Sequence, residues 1–111
     1  MGIRTVSSRP KIRDRFDGAI LRHAIRERIK LHIIYQDQNG TVSDRDIWPL
    51  FIAYLDDVRI VVAWCETRND YRHFRTDRIH FLERLHDKYP ARRALLIKVW
   101  EELRAKENSS H

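Results

Sequence analysis

A chain of 111 residues, 42% apolar and 34% charged, holds material for one modest globular core and little for a second. Its 22 lysines and arginines outnumber 16 aspartates and glutamates, giving a net charge of +6. Most of the positive residues are arginine, which points to an anionic partner, nucleic acid or nucleotide first. Three glycines and three prolines exclude a low-complexity chain and a glycine-rich phosphate loop, and one cysteine forbids an internal disulfide and fits a reducing, cytoplasmic setting.

Residues 1–15 are polar and basic with no periodic apolar face, and read as a flexible tail or linker. Within them no apolar stretch reaches signal-peptide length, and nowhere does a run approach the roughly 20 apolar residues of a membrane span. Asp17 then stands where a helix N-cap belongs, and Ile20, Leu21, Ala24 and Ile25 repeat at helical spacing, so a helix is predicted to end near residue 29. From Leu31 the period changes to two, with Leu31, Ile33 and Tyr35 on one face. Asn39-Gly40 signals a hairpin into a strand from Thr41 to about Trp48.

Pro49 predicts an edge, a bulge or a sharp bend, after which Leu50–Leu55 continues as strand. Asp56-Asp57 forms a tight turn, and Val58–Cys65, apolar on both faces except at Arg59, reads as a central strand. A turn over Thr67–Asp70 leads to a short strand Tyr71–Arg75, a break at Thr76-Asp77, and a last, irregular strand from Ile79 to Leu85. Pro90 is predicted in the first turn of a closing helix whose stripe is Leu96, Val99, Trp100 and Leu103. Residues 107–111 read as a tail. The expected fold is mainly β with flanking helices: a helix, about five antiparallel strands in a bent sheet or small barrel, and a closing helix.

Most catalytic chemistries find no support in the motifs. Cys65 ends an apolar strand and reads as a buried small hydrophobe. The six histidines are scattered, with no Cys-x-x-Cys or His-Glu-x-x-His spacing for a metal. No cofactor-binding motif is present. Asp44/Asp46 and Asp56/Asp57 read as a solvent face and a turn. What remains is His73-Phe74-Arg75-Thr76-Asp77-Arg78-Ile79. Phe74 and Ile79 are apolar anchors, and a turn between them can aim Arg75 and Arg78 at one anion while Asp77 holds one of them. An Arg–Asp network that only shapes the turn fits the same residues equally well.

In order along the chain, Ala24-Ile25-Arg26-Glu27, Ile34-Tyr35 with Asn39-Gly40, Trp48-Pro49-Leu50, Val62-Ala63-Trp64-Cys65-Glu66, Phe74–Ile79 and Tyr89-Pro90 resemble the WYL domain, the effector module of many bacterial transcription regulators. The resemblance extends over about residues 17–104 and places such a domain at 16–106. It implies a strongly bent, Sm-like (SH3-like) antiparallel sheet preceded by a helix, no enzymatic activity, and the sensing of a single-stranded nucleic acid or nucleotide ligand. It also implies Arg75 and Arg78 as ligand contacts, Tyr35 as a nearby aromatic, and His73 at a polar position beside them. The tripeptide that names the family falls on Arg59-Ile60-Val61, so Arg59 is expected to face solvent or ligand. The family's usual winged helix-turn-helix has no room before residue 16, so a free-standing effector domain, a truncated relative and a fragment of a larger regulator all stand as expectations, with a separate helix-turn-helix protein among the expected partners. Two further readings stand beside this one. One is a protein-interaction or homodimerisation module using the closing helix; the other is a small metal-independent ribonuclease with His73 as base.

Overall fold

The computed structural model describes residues 14–109, so the tail expected over 1–15 falls almost wholly outside the described residues. Helix α1 spans Gly18–Glu27. Asp17 caps it as expected, its Oδ1 accepting the Ala19 N–H at 2.9 Å. The helix stops at Arg28, a left-handed residue with φ 59°, a conformation that glycine takes more easily. Tertiary bonds hold Arg28 there: its guanidinium donates to the carbonyls of Tyr89 at 3.0 Å and Ala91 at 3.3 Å, and its own carbonyl accepts the Tyr89 N–H at 2.9 Å.

Strand β1, Ile29–Gln36, buries Leu31, Ile33 and Tyr35 in the predicted alternation. The hairpin after it is built around Asp37. The Asp37 carbonyl accepts the Gly40 N–H at 3.0 Å, and its Oδ1 accepts the amides of Asn39 and Thr41 at 2.8 and 2.9 Å. Only Gly40 takes a positive φ in this loop, 86°, so the connection is a three-residue turn closed by a left-handed glycine.

Strand β2 runs unbroken from Val42 to Leu55. Its first half pairs with β1 as far as Ile47, and from Ile47 onward it pairs with β3, Val58–Cys65. Pro49, with no N–H to give, lies past the last β1 pair, where the register shifts between Pro49 and Phe51. Of the options Pro49 left open, the bulge is the one realised. Strand β4, Asp70–Arg75, a 3-10 turn, Thr76–Arg78, and β5, Ile79–Lys88, follow. All pairs are antiparallel and the sheet order is β4-β3-β2-β1-β5. The first four strands form a meander, and β5 crosses back to the outer edge of β1. The fold class is therefore mainly β with flanking helices, as expected.

Each face of the sheet carries one helix. On one side α1 lays Leu21, Ala24 and Ile25 over Leu31, Ile33, Ile47, Val61, Phe74 and Ile79. Cys65 is buried and free in this core. On the other side Leu50, Val62 and Tyr89 are covered by Leu96, Ile97 and Trp100 of helix α2. Fully burying one such apolar side chain stabilises by about 1.5–3 kcal/mol.

Helix α2 spans Arg93–Ser109, so Pro90 does not begin it. The fully buried Tyr89 stacks on Trp48, with ring centroids 5.5 Å apart, and its hydroxyl donates to the Pro49 carbonyl at 3.1 Å. Together with the Arg28 bonds, this holds residues 89–92 in a bend ahead of α2. The predicted stripe also divides: Leu96 and Trp100 pack inward, while Val99 and Leu103 remain exposed. Residues 107–109, expected as tail, continue the helix.

Candidate ligand-binding turn

The arginine-bearing segment sits where β4 ends and β5 begins. Phe74 and Ile79 are buried anchors, as their apolar character predicts, and Thr76 between them is buried as well. The Phe74 ring meets Tyr35 edge-on at 5.0 Å and 79°. The backbone N–H of Arg75 donates to the Tyr35 hydroxyl at 3.1 Å. The turn therefore rests on β1, with which β5 pairs through Tyr35 and Ile79 as it leaves the turn, while β4, which enters it, pairs with β3.

Within the turn, Asp77 grips Arg75 from both oxygens. Nε donates to Oδ1 at 3.0 Å and Nη2 donates to Oδ2 at 2.7 Å, the bidentate fork characteristic of arginine and carboxylate. The hydrogen bonds from Arg75 hold the Asp77 carboxyl below the usual carboxylate range, and the same bonds raise Arg75. Arg78, half-buried, adds its charge near Asp77. Its guanidinium has no hydrogen-bond partner among the described residues. The turn thus carries two guanidinium groups and one carboxylate, and one guanidinium is already oriented.

The other expected residues are less close. Ile60 pairs with Arg75, so Arg59 points to the opposite face of the sheet. There it forms an ion pair with Asp14, just before α1. His73 shares the Arg75 face, but its Nε2 accepts the Trp100 indole N–H at 3.0 Å. Burial, followed by the Arg104 charge, lowers its pKa. Tyr35 is only 8% exposed, and Phe74 lies against its ring, so stacking of a ligand base on Tyr35 does not fit this geometry. Tyr71 is also held, its hydroxyl donating to the Leu96 carbonyl at 2.9 Å.

An aromatic that sequence reasoning passed over is in the open instead. Tyr54 is 70% exposed and pairs with Arg59 across β2 and β3. Within the predicted strand Leu50–Leu55 no local signal marks it as exposed. Between β4 and α2 lies a cleft of about 150 Å³ lined by Asp70, Tyr71, His73, Trp100, Leu103, Arg104 and Glu107. Among the described residues no group of three or more His, Cys, Asp or Glu side chains is placed to hold a metal ion. No helix among them is long and apolar enough to cross a membrane.

Comparison with known proteins bears on the whole arrangement. The family model described as the WYL domain matches residues 19–84, which includes the turn but not α2. Among solved structures, the chain is similar to the proteasome accessory factor B/C (PafBC) of Arthrobacter aurescens. Identity is 32% and the TM-score 0.62, over 67% of this chain and 12% of that one. The present chain therefore spans a small part of that protein's length. No curated protein matches significantly.

Proposed function

The chain belongs to the WYL domain family, and from that membership we propose that it acts as the effector module of a transcription regulator, sensing a single-stranded nucleic acid or nucleotide-like anion at the Thr76–Arg78 turn. The observation that carries this reading is the asymmetry of the two arginines. Asp77 fixes Arg75 by two hydrogen bonds, while Arg78, beside it, has none among the described residues. A ligand phosphate would meet Arg78 and the remaining edge of Arg75 without displacing Asp77. DNA binding would come from a helix-turn-helix domain in the same regulator or a separate partner, and the module would work in the cytoplasm. Residues 16–106 would form the functional unit.

Substituting Arg78→Ala removes a charge-assisted contact worth about 1.5–3 kcal/mol. Binding of a labelled single-stranded oligonucleotide, followed by fluorescence anisotropy, should weaken roughly tenfold or more, with an unchanged melting temperature. Unchanged affinity would remove the turn as the site.

A second reading, self-association, is favoured by one observation: Leu95, Val99 and Leu103 line the outer face of α2 at 56%, 38% and 45% exposure. Light scattering that finds a monomer at high concentration would reject it.

A further inference from the structure

Sequence reasoning left His23 and His86 without a role, yet the fold brings them to one place. The pairs Leu31–Arg84 and Ile29–Lys88 bracket a single residue of β1, Lys30, against three of β5, Leu85, His86 and Asp87. The surplus on β5 is a bulge at a sheet edge, a device that re-aims side chains. Beside it lies a hollow of about 300 Å³ lined by Ile29, Arg84, Leu85 and His86. On the α1 side Arg84 approaches His23, with Nη1 3.5 Å from Nδ1. Arg26 follows His23 one helical turn later on the exposed side.

Two features separate this cluster from an ordinary solvated surface. Among the described residues, Arg84, Arg22 and Arg26 have no carboxylate in ion-pair range, whereas Lys30, His32, Arg59 and Arg75 each have one. Furthermore, the side-chain hydrogen bond that Arg84 makes among the described residues runs to an imidazole nitrogen, His23 Nδ1, and not to a carboxylate. A guanidinium has five N–H donors, and a single contact to His23 leaves most of them available. Arg84 and His86 both line the hollow, so a guanidinium and an imidazole border one space at the bulge, and His23 meets Arg84 from α1. That arrangement suits a tetrahedral oxyanion, whose oxygens point in several directions, better than a planar carboxylate.

We propose that the hollow beside the β5 bulge binds a phosphate or phosphodiester group through Arg84 and His86, with His23 held against Arg84. The site is distinct from the Thr76–Arg78 turn, at the far end of β5, and does not depend on the turn's function.

The test is a titration of the full chain with inorganic phosphate, read from the histidine ring resonances by NMR, against sodium chloride at matched ionic strength. Saturable shifts at His23 and His86 that chloride does not reproduce are expected. Arg84→Gln should weaken them at least tenfold, while Arg75→Ala/Arg78→Ala should leave them intact. That last variant separates failure of this site from failure of the turn. Should Arg84→Gln lose its folded spectrum, His86→Asn takes its place. Shifts that do not saturate, that chloride reproduces, or that survive loss of Arg84 or His86 overturn the proposal. A thymidine pentanucleotide run in parallel distinguishes the source: saturation at lower concentration than inorganic phosphate identifies a phosphodiester, and the reverse a free phosphate.

Discussion

Tyr35 illustrates how the position of a side chain can be legible in sequence while its bonding partners are not. Its alternation with Leu31 and Ile33 put it on the inward face, and it lies there. It is also near the arginine turn, which it supports directly: Phe74 covers the ring and the hydroxyl accepts the Arg75 amide. No local pattern could reveal that bond, since its partners lie forty residues apart. Tyr35→Phe keeps the ring packing and leaves a part-buried N–H without its acceptor, at a cost of about 1–2 kcal/mol. For a domain of this size that corresponds to a fall in melting temperature of roughly 4–8 °C for each kcal/mol. Hydrogen exchange at the Arg75 amide should accelerate as well. A variant with wild-type melting and wild-type exchange at that amide would show that the hydroxyl does not hold the turn.

At the scale of elements, α1, the strands and their order of appearance were legible because each rests on a local signal. These signals are the Asp17 cap, the period-two burial of β1, the Gly40 turn and the bulge at Pro49. The start of α2 was not. Tyr89-Pro90 has the local form of a helix entry, but Tyr89 is committed to Trp48 and Pro49 and its carbonyl to Arg28. Such tertiary anchors outweigh local preference.

The docking of α2 also turns on a contact that local pattern does not reveal, the acceptance of the Trp100 indole N–H by His73 Nε2. Phe51 meets the same indole edge-on at 5.2 Å. A protonated imidazole has donors only, so protonation breaks the bond. The His73 pKa is lowered in the fold by burial and by Arg104, with Glu107 opposing. A depressed folded pKa means that this contribution is complete above about pH 6.5 and is lost as pH falls through the lower folded value. Protection factors of the helix α2 amides and of the Trp100 indole N–H, taken against the intrinsic exchange rate at each pH, should therefore fall as pH drops through the folded value. His73→Gln, whose side chain retains an acceptor, should flatten that dependence. Protection that does not change with acid in the wild type would show that the helix is held without this bond.

For the whole molecule, the net charge of +6 announced an anionic partner without saying where the charge would act. The fold answers by neutralising some cations and sparing others. Lys30, Arg59 and Arg75 meet carboxylates, and Arg28 and Arg93 donate to backbone carbonyls. Arg78 and Arg84, with no carboxylate in ion-pair range among the described residues, stand just before β5 and in its second half. They are six residues apart, roughly 20 Å at the rise of an extended strand. A single-stranded nucleic acid lying along β5 would be able to reach both, whereas a mononucleotide would reach one. Each phosphate contact on a single strand contributes about 0.7 to the slope of log affinity against log salt. For a labelled oligonucleotide long enough to reach both arginines, Arg78→Ala and Arg84→Gln should each lower the magnitude of that slope by about 0.7, and the double variant by about twice as much. A mononucleotide should respond to only one of the two. If both single variants kept the wild-type slope, the charge would be acting as a diffuse field over the surface, and neither arginine would be a phosphate contact.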